Sequence, residues 1–198
     1  MKEMWNQRYA GEEYAYGTLP NQFFKEKLEG LHPGKLLLPA EGEGQNAVFA
    51  ASLGWQVKAV DFSEQAKVKA LKLAELNNVH LDYSVGDITT LDFGEEVFDA
   101  AAIIYAHLAP ELRKMVHQRI ICSIKPGGYL ILEAFNTKQI NNSSGGPKSV
   151  DMLYTIPLLK EDFKELDLFL LEEDTIWLDQ GSFHQGEAAI IRLFGRKK

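Results

Sequence analysis

The sequence of 198 residues contains a single cysteine, Cys122, and this scarcity excludes two classes of protein. One thiol forms neither an intramolecular disulfide nor a cluster of thiolate metal ligands, so a disulfide-stapled scaffold and a cysteine-based metal site are excluded. The sequence also shows no amino-terminal signal peptide and no apolar run of transmembrane length. We therefore expect a protein of the reducing cytoplasm that does not enter a membrane.

Basic residues are outnumbered, since 21 Lys and Arg face 28 Asp and Glu and the formal net charge is −7. An acidic surface repels phosphate backbones, so we expect no nucleic-acid partner. The five histidines lack the paired spacing of metal ligands, and we expect no bound metal. Neither a serine nucleophile elbow nor a phosphate-binding P-loop is present.

Strand-like and helix-like segments alternate through the middle of the chain. Apolar runs predict strands at 35–38, 56–60, 81–85, 98–105 and 129–135. Ser63 would be the N-cap of a helix at 64–76, residues 125–128 would form a turn, and a short helix is expected at 159–166. Such alternation predicts a mostly parallel, Rossmann-like doubly wound α/β sheet with helices on both faces. Two later runs, 168–178 and 187–194, predict a closing hairpin that adds an antiparallel strand.

The length favours one domain over residues 1–198. Within it we expect an N-terminal lid and helix segment at 1–30 and a cofactor-binding core at 35–135. An acceptor-side loop and the closing hairpin would follow at 136–198.

A glycine-rich turn follows the first predicted strand and leads into a helix. Gly42 and Gly44 would let a ligand approach the backbone closely. Asp61 ends the second predicted strand nineteen residues after Gly42, where a carboxylate can accept both hydroxyls of a ribose. The turn and the acid together predict a nucleoside-binding site.

The residues of this turn also fit the dinucleotide pattern G-x-G-x-x-A, so an NAD-binding oxidoreductase is one alternative. A pyrophosphate at the helix N-terminus would meet Glu41 and Glu43, at roughly 4 kcal/mol for each like-charge pair about 4 Å apart. S-adenosylmethionine has no phosphate, and its sulfonium and ammonium groups are compatible with two acids. Charge therefore favours a sulfonium nucleoside, unless the two carboxylates point into solvent.

Further candidate site residues lie after the third and fourth predicted strands and near the N-terminus. Asp87 would bind the adenine amino group beside the backbone amide of Ile88, or would only form a turn. Tyr105 would flank the sulfonium or stack on the acceptor, and His107 would be a general base or a helix cap. Aromatic residues such as Tyr16 would cover a sulfonium or pack on the sheet edge.

The chain resembles class I S-adenosylmethionine-dependent methyltransferases, within the small bacterial branch near the tellurite-resistance and thiopurine methyltransferases. The matching stretches are Trp5 with Arg8-Tyr9, 14–17, Pro20-Asn21, 40–47, 59–63, Gly86-Asp87, 98–108, 125–128 and 130–134. The resemblance implies methyl transfer from S-adenosylmethionine to a small molecule, which the sequence does not name. A non-catalytic cofactor-binding protein of the same fold is the other alternative.

By this resemblance the loop from Gly42 to Gly44 would hold the methionine moiety, Asp61 the ribose, and Asp87 with Ile88 the adenine. Leu38 and Ala40 stand where the common family form has an acid and a glycine, and Glu41 would supply a carboxylate from a shifted place. The predicted cofactor-binding residues are Tyr16, Glu41, Gly42, Gly44, Asn46, Asp61, Phe62, Asp87, Ile88 and Tyr105.

Overall fold

The computed structural model describes residues 2–198, which form seven strands, six α-helices and two short 3-10 helices. The strands are β1 (Lys35–Pro39), β2 (Gln56–Asp61), β3 (Asp82–Val85), β4 (Phe98–Ile104), β5 (Ile124–Phe135), β6 (Leu166–Gln180) and β7 (His184–Lys197). The α-helices are α1 (Lys2–Tyr9), α2 (Gln22–Glu29), α3 (Gln45–Ser52), α4 (Glu64–Leu76), α5 (Pro110–Ser123) and α6 (Ile156–Asp162). The 3-10 helices span Thr137–Asn141 and Val150–Met152.

All seven strands belong to one sheet with the order β3-β2-β1-β4-β5-β7-β6. The first five strands pair in parallel, whereas β7 lies antiparallel to both β5 and β6. This order confirms the predicted Rossmann-like doubly wound sheet with an antiparallel hairpin at its end. Among residues 2–198, no helix is both long and apolar enough to cross a membrane.

Both faces of the central strands β1 and β4 are buried, as the apolar strands predict. Successive leucines of β1 alternate between the two faces: Leu36 and Leu38 join one core cluster and Leu37 joins the other. Helices α2, α3 and α4 cover the first face, while α5 and α6 cover the second. The buried sheet is therefore a fixed support for the loops that leave its carboxyl edge.

Three segments differ from the prediction. The turn predicted at 125–128 lies inside β5 as a register shift against β4, and Gly127 takes a φ of +79° there. Helix α1 was not predicted, because only its last residue, Tyr9, is buried. Helix α6 begins earlier than expected, since the Thr155 side chain caps it by accepting from the amide of Leu158.

The site region is enclosed from two directions. The hairpin of β6 and β7 extends past Phe135, the last residue of β5, because β7 begins six residues before Ile190, the partner of Phe135. At the hairpin tip, the amide of Phe183 donates to the carbonyl of Ala15 at 3.3 Å. The N-terminal segment and the hairpin tip therefore meet above the carboxyl edge of the sheet.

Candidate functional site

A cavity of about 450 Å³ lies at the carboxyl ends of the parallel strands. The N-terminal segment, the loops after β1, β2, β3 and β4, residues 146–152 and the hairpin tip enclose it. The predicted site residues that line it are Tyr16, Glu41, Gly42, Asn46, Asp61, Phe62, Ile88, Tyr105 and His107. Gly44 and Asp87 are not among the lining residues.

Asp61 sits at the end of β2 with both carboxylate oxygens held by the backbone. Its Oδ2 accepts from the amide of Gly42 at 3.0 Å and its Oδ1 from the amide of Ser63 at 2.9 Å. Burial raises the pKa of Asp61, while these backbone hydrogen bonds act in the opposite direction. The carboxylate is thus fixed at the cavity wall, with lone pairs left for a ligand.

Gly42 is required by its surroundings. Its φ is +66°, and a Cβ there would lie 2.9 Å from the Tyr9 hydroxyl. The Tyr83 hydroxyl donates to the Gly42 carbonyl at 2.6 Å. Two tyrosines from different elements therefore set the path of the loop.

Glu41 points at the start of α3. Its Oε1 accepts from the amide of Ala47 at 2.7 Å, and Asn46 Nδ2 lies 3.4 Å from its Oε2. The N-cap residue Gly44 has no side chain to cap the helix, so Glu41 does so from the preceding turn. Burial raises the pKa of Glu41 to about 8. The carboxylate occupies a donor that a pyrophosphate at this helix N-terminus would need.

Glu43 faces neither the ligand space nor solvent. It is 1% exposed, its Oε1 lies 2.8 Å from Lys69 Nζ, and its Oε2 accepts from the amide of Tyr16. The expectation that both acids of the turn meet the ligand is thus corrected for Glu43, because Lys69 compensates its charge. Of the two acids of the turn, only Glu41 lines the cavity, and its carboxyl group caps α3.

The structure also shows the surroundings of Ala40 and Leu38, the two positions at which this chain differs from the common family form. Ala40 adopts a φ of +55°, the conformation that a glycine would take more easily. Leu38 is 1% exposed and belongs to the core. Gly44 has a φ of +90°, and a Cβ there would lie 2.6 Å from the Ala70 Cβ. Gly44 therefore allows α3 to pack closely on α4.

Asp87 forms a local turn. Its Oδ1 accepts from the amide of Thr89 at 2.8 Å and from the Thr89 hydroxyl at 2.7 Å. The next residue, Ile88, is buried and lines the cavity. The adenine contact of Asp87 stays a prediction, and Ile88 is the nearer of the two residues to the ligand space.

Tyr105 belongs to a buried network that the sequence did not reveal. Its hydroxyl donates to Oε1 of Glu133 at 2.8 Å, and Asn21 Nδ2 donates to the same oxygen at 2.6 Å. Arg192 Nε donates to the other oxygen at 2.6 Å. Burial raises the pKa of Tyr105 well above its ordinary value. The only sequence signal was Glu133 itself, a single acid in an apolar strand.

The same network reaches the glycine-rich turn. The amide of Asn21 donates to Asn46 Oδ1 at 2.9 Å, and Asn46 in turn contacts Glu41. Asn21 therefore connects the N-terminal segment to β5 and to α3. Any displacement of that segment breaks polar contacts at both places.

His107 has no free ring nitrogen. Its Nδ1 lies 2.8 Å from the Met152 carbonyl, and its Nε2 accepts from the amide of Phe135 at 3.2 Å. Burial lowers the pKa of His107 to about 4, so the ring is neutral at pH 7. The interpretations as general base and as helix cap are both corrected: the ring joins the 3-10 helix at Val150–Met152 to the end of β5.

Two polar cavity residues were not predicted as binding residues: His184, and Arg8, which the sequence analysis named only within the N-terminal stretch that carries the resemblance. His184 is 7% exposed, and its Nδ1 has no hydrogen-bond partner within residues 2–198. Its ring centroid lies 4.5 Å from that of Tyr16 and 4.8 Å from that of Tyr105. Burial lowers the pKa of His184 to about 4. A lone histidine beside a hairpin turn gives no sequence signal, because only the fold brings it to the cavity.

Arg8 is the other. Its guanidinium lies 4.1 Å from the ring centroid of Phe183, and its Nη1 donates to the Tyr16 hydroxyl at 2.8 Å. In the described part of the chain, no carboxylate lies within ion-pair distance of Arg8. The cavity therefore holds one cation without a counter-ion.

The residues at the cavity do not form a metal site. Across residues 2–198, no group of three or more His, Cys, Asp or Glu side chains is placed to hold an ion. The arrangement instead offers a fixed carboxylate, a glycine turn, a cation and several aromatic faces. These features suit a small organic ligand with both charged and apolar parts.

Comparisons with known proteins agree with this geometry. Residues 39–128 match a family model described as a methyltransferase domain. A demethylmenaquinone methyltransferase of Renibacterium salmoninarum is 31% identical over 108 residues, which cover 54% of this chain and 44% of that protein. The chain spans less than half the length of the curated relatives it matches.

Two solved structures share the fold over most of the chain. TehB from Haemophilus influenzae has a TM-score of 0.75 at 17% identity, covering 100% of this chain and 67% of that one. The 1,6-didemethyltoxoflavin-N1-methyltransferase of Burkholderia thailandensis, bound to 1,6-didemethyltoxoflavin and S-adenosylhomocysteine, has a TM-score of 0.65 at 19% identity, covering 89% and 79%. The predicted resemblance to methyltransferases thus has support from a domain model over residues 39–128, and the solved structures show that the fold is shared.

Proposed function

We propose that this protein, whose residues 39–128 match the model of a methyltransferase domain, transfers a methyl group from S-adenosylmethionine to a small-molecule acceptor. The observation that carries the proposal is the pairing of Asp61 and Glu41 in one cavity. Asp61 offers a ribose-binding carboxylate, and Glu41 holds the helix N-terminus where a dinucleotide would place its phosphates. A nucleoside without phosphates fits both.

The adenosine part of the cofactor would lie along the ends of β2 and β3. Asp61 would accept the two ribose hydroxyls, and Phe62 and Ile88 would contact the adenine. Each of the two ribose contacts is a charge-assisted hydrogen bond, which is shorter and stronger than a neutral one. Asp61 would therefore supply the largest share of nucleoside affinity.

The amino-acid part of the cofactor would lie between the glycine turn and the N-terminal segment. Arg8 would bind its carboxylate, because the guanidinium has no carboxylate partner within the described chain. The turn at 41–42 would face the ammonium group. This assignment places the sulfonium below Tyr16, whose ring can stabilise a cation.

S-adenosylmethionine, when bound, supplies a methyl group made electrophilic by the sulfonium. The chain itself would hold the acceptor in line with that methyl group and exclude water from the cavity. Proximity and orientation can by themselves accelerate such a transfer. The hydrogen bond from Phe183 to Ala15 closes the cavity over the reacting atoms. His107 has no part in proton transfer in this scheme, because both its nitrogens are bonded.

Because no side chain is assigned as a general base, one alternative is a cofactor-binding protein of the same fold without transfer activity. It shares every cofactor contact proposed above. It differs only in the outcome of a transfer assay. The oxidoreductase alternative receives no support from the comparisons, and Glu41 opposes it.

The wider setting is part of the same proposal. We infer one domain over residues 1–198, in which 1–30 cover the cofactor, 35–135 bind it, and 136–198 form the acceptor side. We also infer a cytoplasmic protein without a nucleic-acid partner, on the grounds of the single cysteine and the acidic charge.

The first experiment is calorimetric titration with S-adenosylmethionine, S-adenosylhomocysteine and NADH. We expect micromolar binding of the two sulfur nucleosides and no heat with NADH. Asp61→Ala should weaken both nucleosides by at least about tenfold, since a hydrogen bond to a charged group contributes about 1.5–3 kcal/mol. Asp82→Ala is the matched control, because Asp82 lies at the opposite edge of the sheet and pairs with Lys58.

Binding of NADH alone would overturn the proposal, and unchanged affinity in Asp61→Ala would overturn the site assignment. The transfer step is tested separately by following S-adenosylhomocysteine production with thiol, phenol and amine acceptors. Product from any of them establishes the enzyme. Tight binding without product from every acceptor class would favour the non-catalytic alternative.

A further inference from the structure

The part of the cavity beyond β4 and β5 contains no carboxylate, and Arg8, the one Lys or Arg of the lining, reaches its border beside Tyr16 and Phe183. The charged residues that line the whole cavity, Arg8, Glu41 and Asp61, all lie on the side assigned above to the cofactor. The residues lining the other part are mainly apolar, among them Leu19, Leu108, Leu112, Phe135, Pro147 and Met152. This second part is the space left for the methyl acceptor.

The polar side chains of this space are almost all engaged within the protein. The Tyr105 hydroxyl donates to Glu133, and both nitrogens of His107 are bonded. Gln180 is at the hairpin tip and partly exposed to solvent. His184 differs from them, because it lines the cavity and neither of its ring nitrogens forms a hydrogen bond within residues 2–198; Nδ1 is closed off from solvent, so Nε2 is the nitrogen that would meet a ligand.

His184 is held in place by rings on several sides. Its centroid lies 4.5 Å from Tyr16, 4.8 Å from Tyr105 and 5.5 Å from Phe135. These three side chains come from the N-terminal segment, the loop after β4 and the end of β5. A neutral imidazole offers one hydrogen-bond donor and one acceptor, so it is the one buried group here that can still fix a ligand's orientation.

We propose that the methyl acceptor is an uncharged, mainly apolar molecule that forms a hydrogen bond to His184, and that His184 is the residue determining acceptor specificity. The proposal rests on the proposed function, since the cofactor must occupy the other part of the cavity and pair with Arg8. It excludes oxyanions, amino acids and nucleotides as acceptors. An uncharged phenol, thiol or heteroaromatic compound with one polar group fits. As its bond to the methyl carbon formed and the S–CH3 bond of the cofactor broke, its proton would pass to the neutral His184 imidazole, and S-adenosylhomocysteine would be the leaving group.

The physical reason is the cost of leaving groups unpaired. A buried site built to form a hydrogen bond discriminates against an analogue that lacks the bonding group, because the protein group then stays desolvated and unpartnered. A charged analogue would lose its hydration without gaining a counter-ion, because the cofactor's carboxylate would already pair with Arg8. Burial and the positive charge of Arg8 keep the pKa of His184 low, so the ring stays neutral at pH 7 and does not attract an anion.

The test compares three ligands built on one ring, p-cresol, toluene and p-toluate. Each is titrated into the protein saturated with S-adenosylhomocysteine and followed by ligand-observed NMR. We expect p-cresol to bind roughly threefold to tenfold more tightly than toluene, the range for one net hydrogen bond. We expect p-toluate to bind more weakly than toluene.

Variants of His184 then test whether this residue causes the preference for p-cresol over toluene. His184→Phe should reduce the p-cresol preference over toluene to less than about twofold, and His184→Gln should retain part of it, since the amide can still form a hydrogen bond. The affinity for S-adenosylhomocysteine should not change in either variant. His80→Phe is the control, because His80 is exposed at the opposite edge of the sheet.

Each other result contradicts a definite part of the inference. Tightest binding of p-toluate would show that Arg8 serves the acceptor, and an undiminished preference in His184→Phe would show that His184 does not select it. Failure of all three ligands to bind the saturated protein would overturn the acceptor space itself. Failure of S-adenosylhomocysteine to bind at the outset would instead overturn the proposed function.

Discussion

Arg8 has an unusual environment for a cation, with the Phe183 ring against its face and the Tyr16 hydroxyl as its partner. If it binds the cofactor's carboxylate, Arg8→Ala should weaken S-adenosylhomocysteine about tenfold or more, since a charge-assisted pair is lost. It should leave 5′-methylthioadenosine unaffected, because that nucleoside lacks the amino-acid group. Calorimetry with both ligands measures the contrast.

Two further variants serve as comparisons for Arg8→Ala. Asp61→Ala should weaken both ligands, since both carry the ribose. Arg8→Lys should fall between wild type and alanine, because lysine keeps the charge but loses the planar pair of donors. An equal loss for the two ligands in Arg8→Ala would mean that Arg8 acts through the position of the N-terminal segment instead.

For single residues, it was easier to predict from the sequence which side chains lie at the site than to predict the direction in which each side chain points. The spacing of Gly42 and Asp61 after two strands was sufficient to place both at the cavity. The directions of Glu41 and Glu43 were not predictable, because they depend on the left-handed backbone at Gly42 and Gly44. Lys69, which pairs with Glu43, lies 26 residues later in the sequence, and no sequence pattern identifies it as the partner of Glu43.

Helix α4 depends on a cap that also holds the N-terminal helix. The Ser63 hydroxyl accepts from the amide of Ala66 at 3.1 Å and donates to Asn6 Oδ1 at 2.7 Å. Ser63→Ala should lower the free energy of unfolding by about 1 kcal/mol, the usual contribution of an N-cap. Urea denaturation measures it, and Ser63→Thr should recover most of the loss. Equal stability of all three proteins would exclude a capping role.

Elements with their own signals were predictable. The cap at Ser63 and the helix Glu64–Leu76 follow the sequence prediction, because the capping residue and the apolar spacing agree. Helix α1 has neither signal: it is mainly polar, with Met4, Trp5 and Tyr9 too few to form an apolar face, and it contacts α4. The sequence also did not predict that β5 begins at Ile124, because Gly127 and Gly128 are typical of a turn. In the structure these glycines lie in a register shift against β4, and the strand continues on both sides of it.

For the whole molecule, buried ionisable groups predict a stability maximum near pH 6.5. Burial lowers the pKa of His107 and His184 to about 4 from 6.5, so acid protonates the unfolded chain first and stability falls below pH 6.5. Burial raises the pKa of Glu41 to about 8 from 4.5. The folded protein therefore holds the extra proton, and stability falls as the pH rises towards 8. Urea denaturation at pH 5.5, 6.5, 7.5 and 8.5 measures both slopes.

Two substitutions separate the slopes. Glu41→Gln should flatten the alkaline side, where the carboxyl contributes up to about 1.4 kcal/mol for each pH unit, while an amide oxygen can still accept from Ala47. His184→Gln should reduce the slope on the acid side without reversing the contribution of the other histidines, because burial also lowers the pKa of His107 and His117. A wild-type alkaline slope that persists in Glu41→Gln would assign it to other groups.

The position of β7 has a consequence for how the protein is made. β7 is the last strand in chain order, yet it lies between β5 and β6 and pairs with both. On the ribosome, β6 therefore emerges before the strand that joins it to the sheet, and β5 meanwhile presents an open edge. Strands in that condition readily pair with other chains. During that interval a nascent chain is at its most vulnerable to aggregation, and chaperones that bind unpaired strands have most to protect.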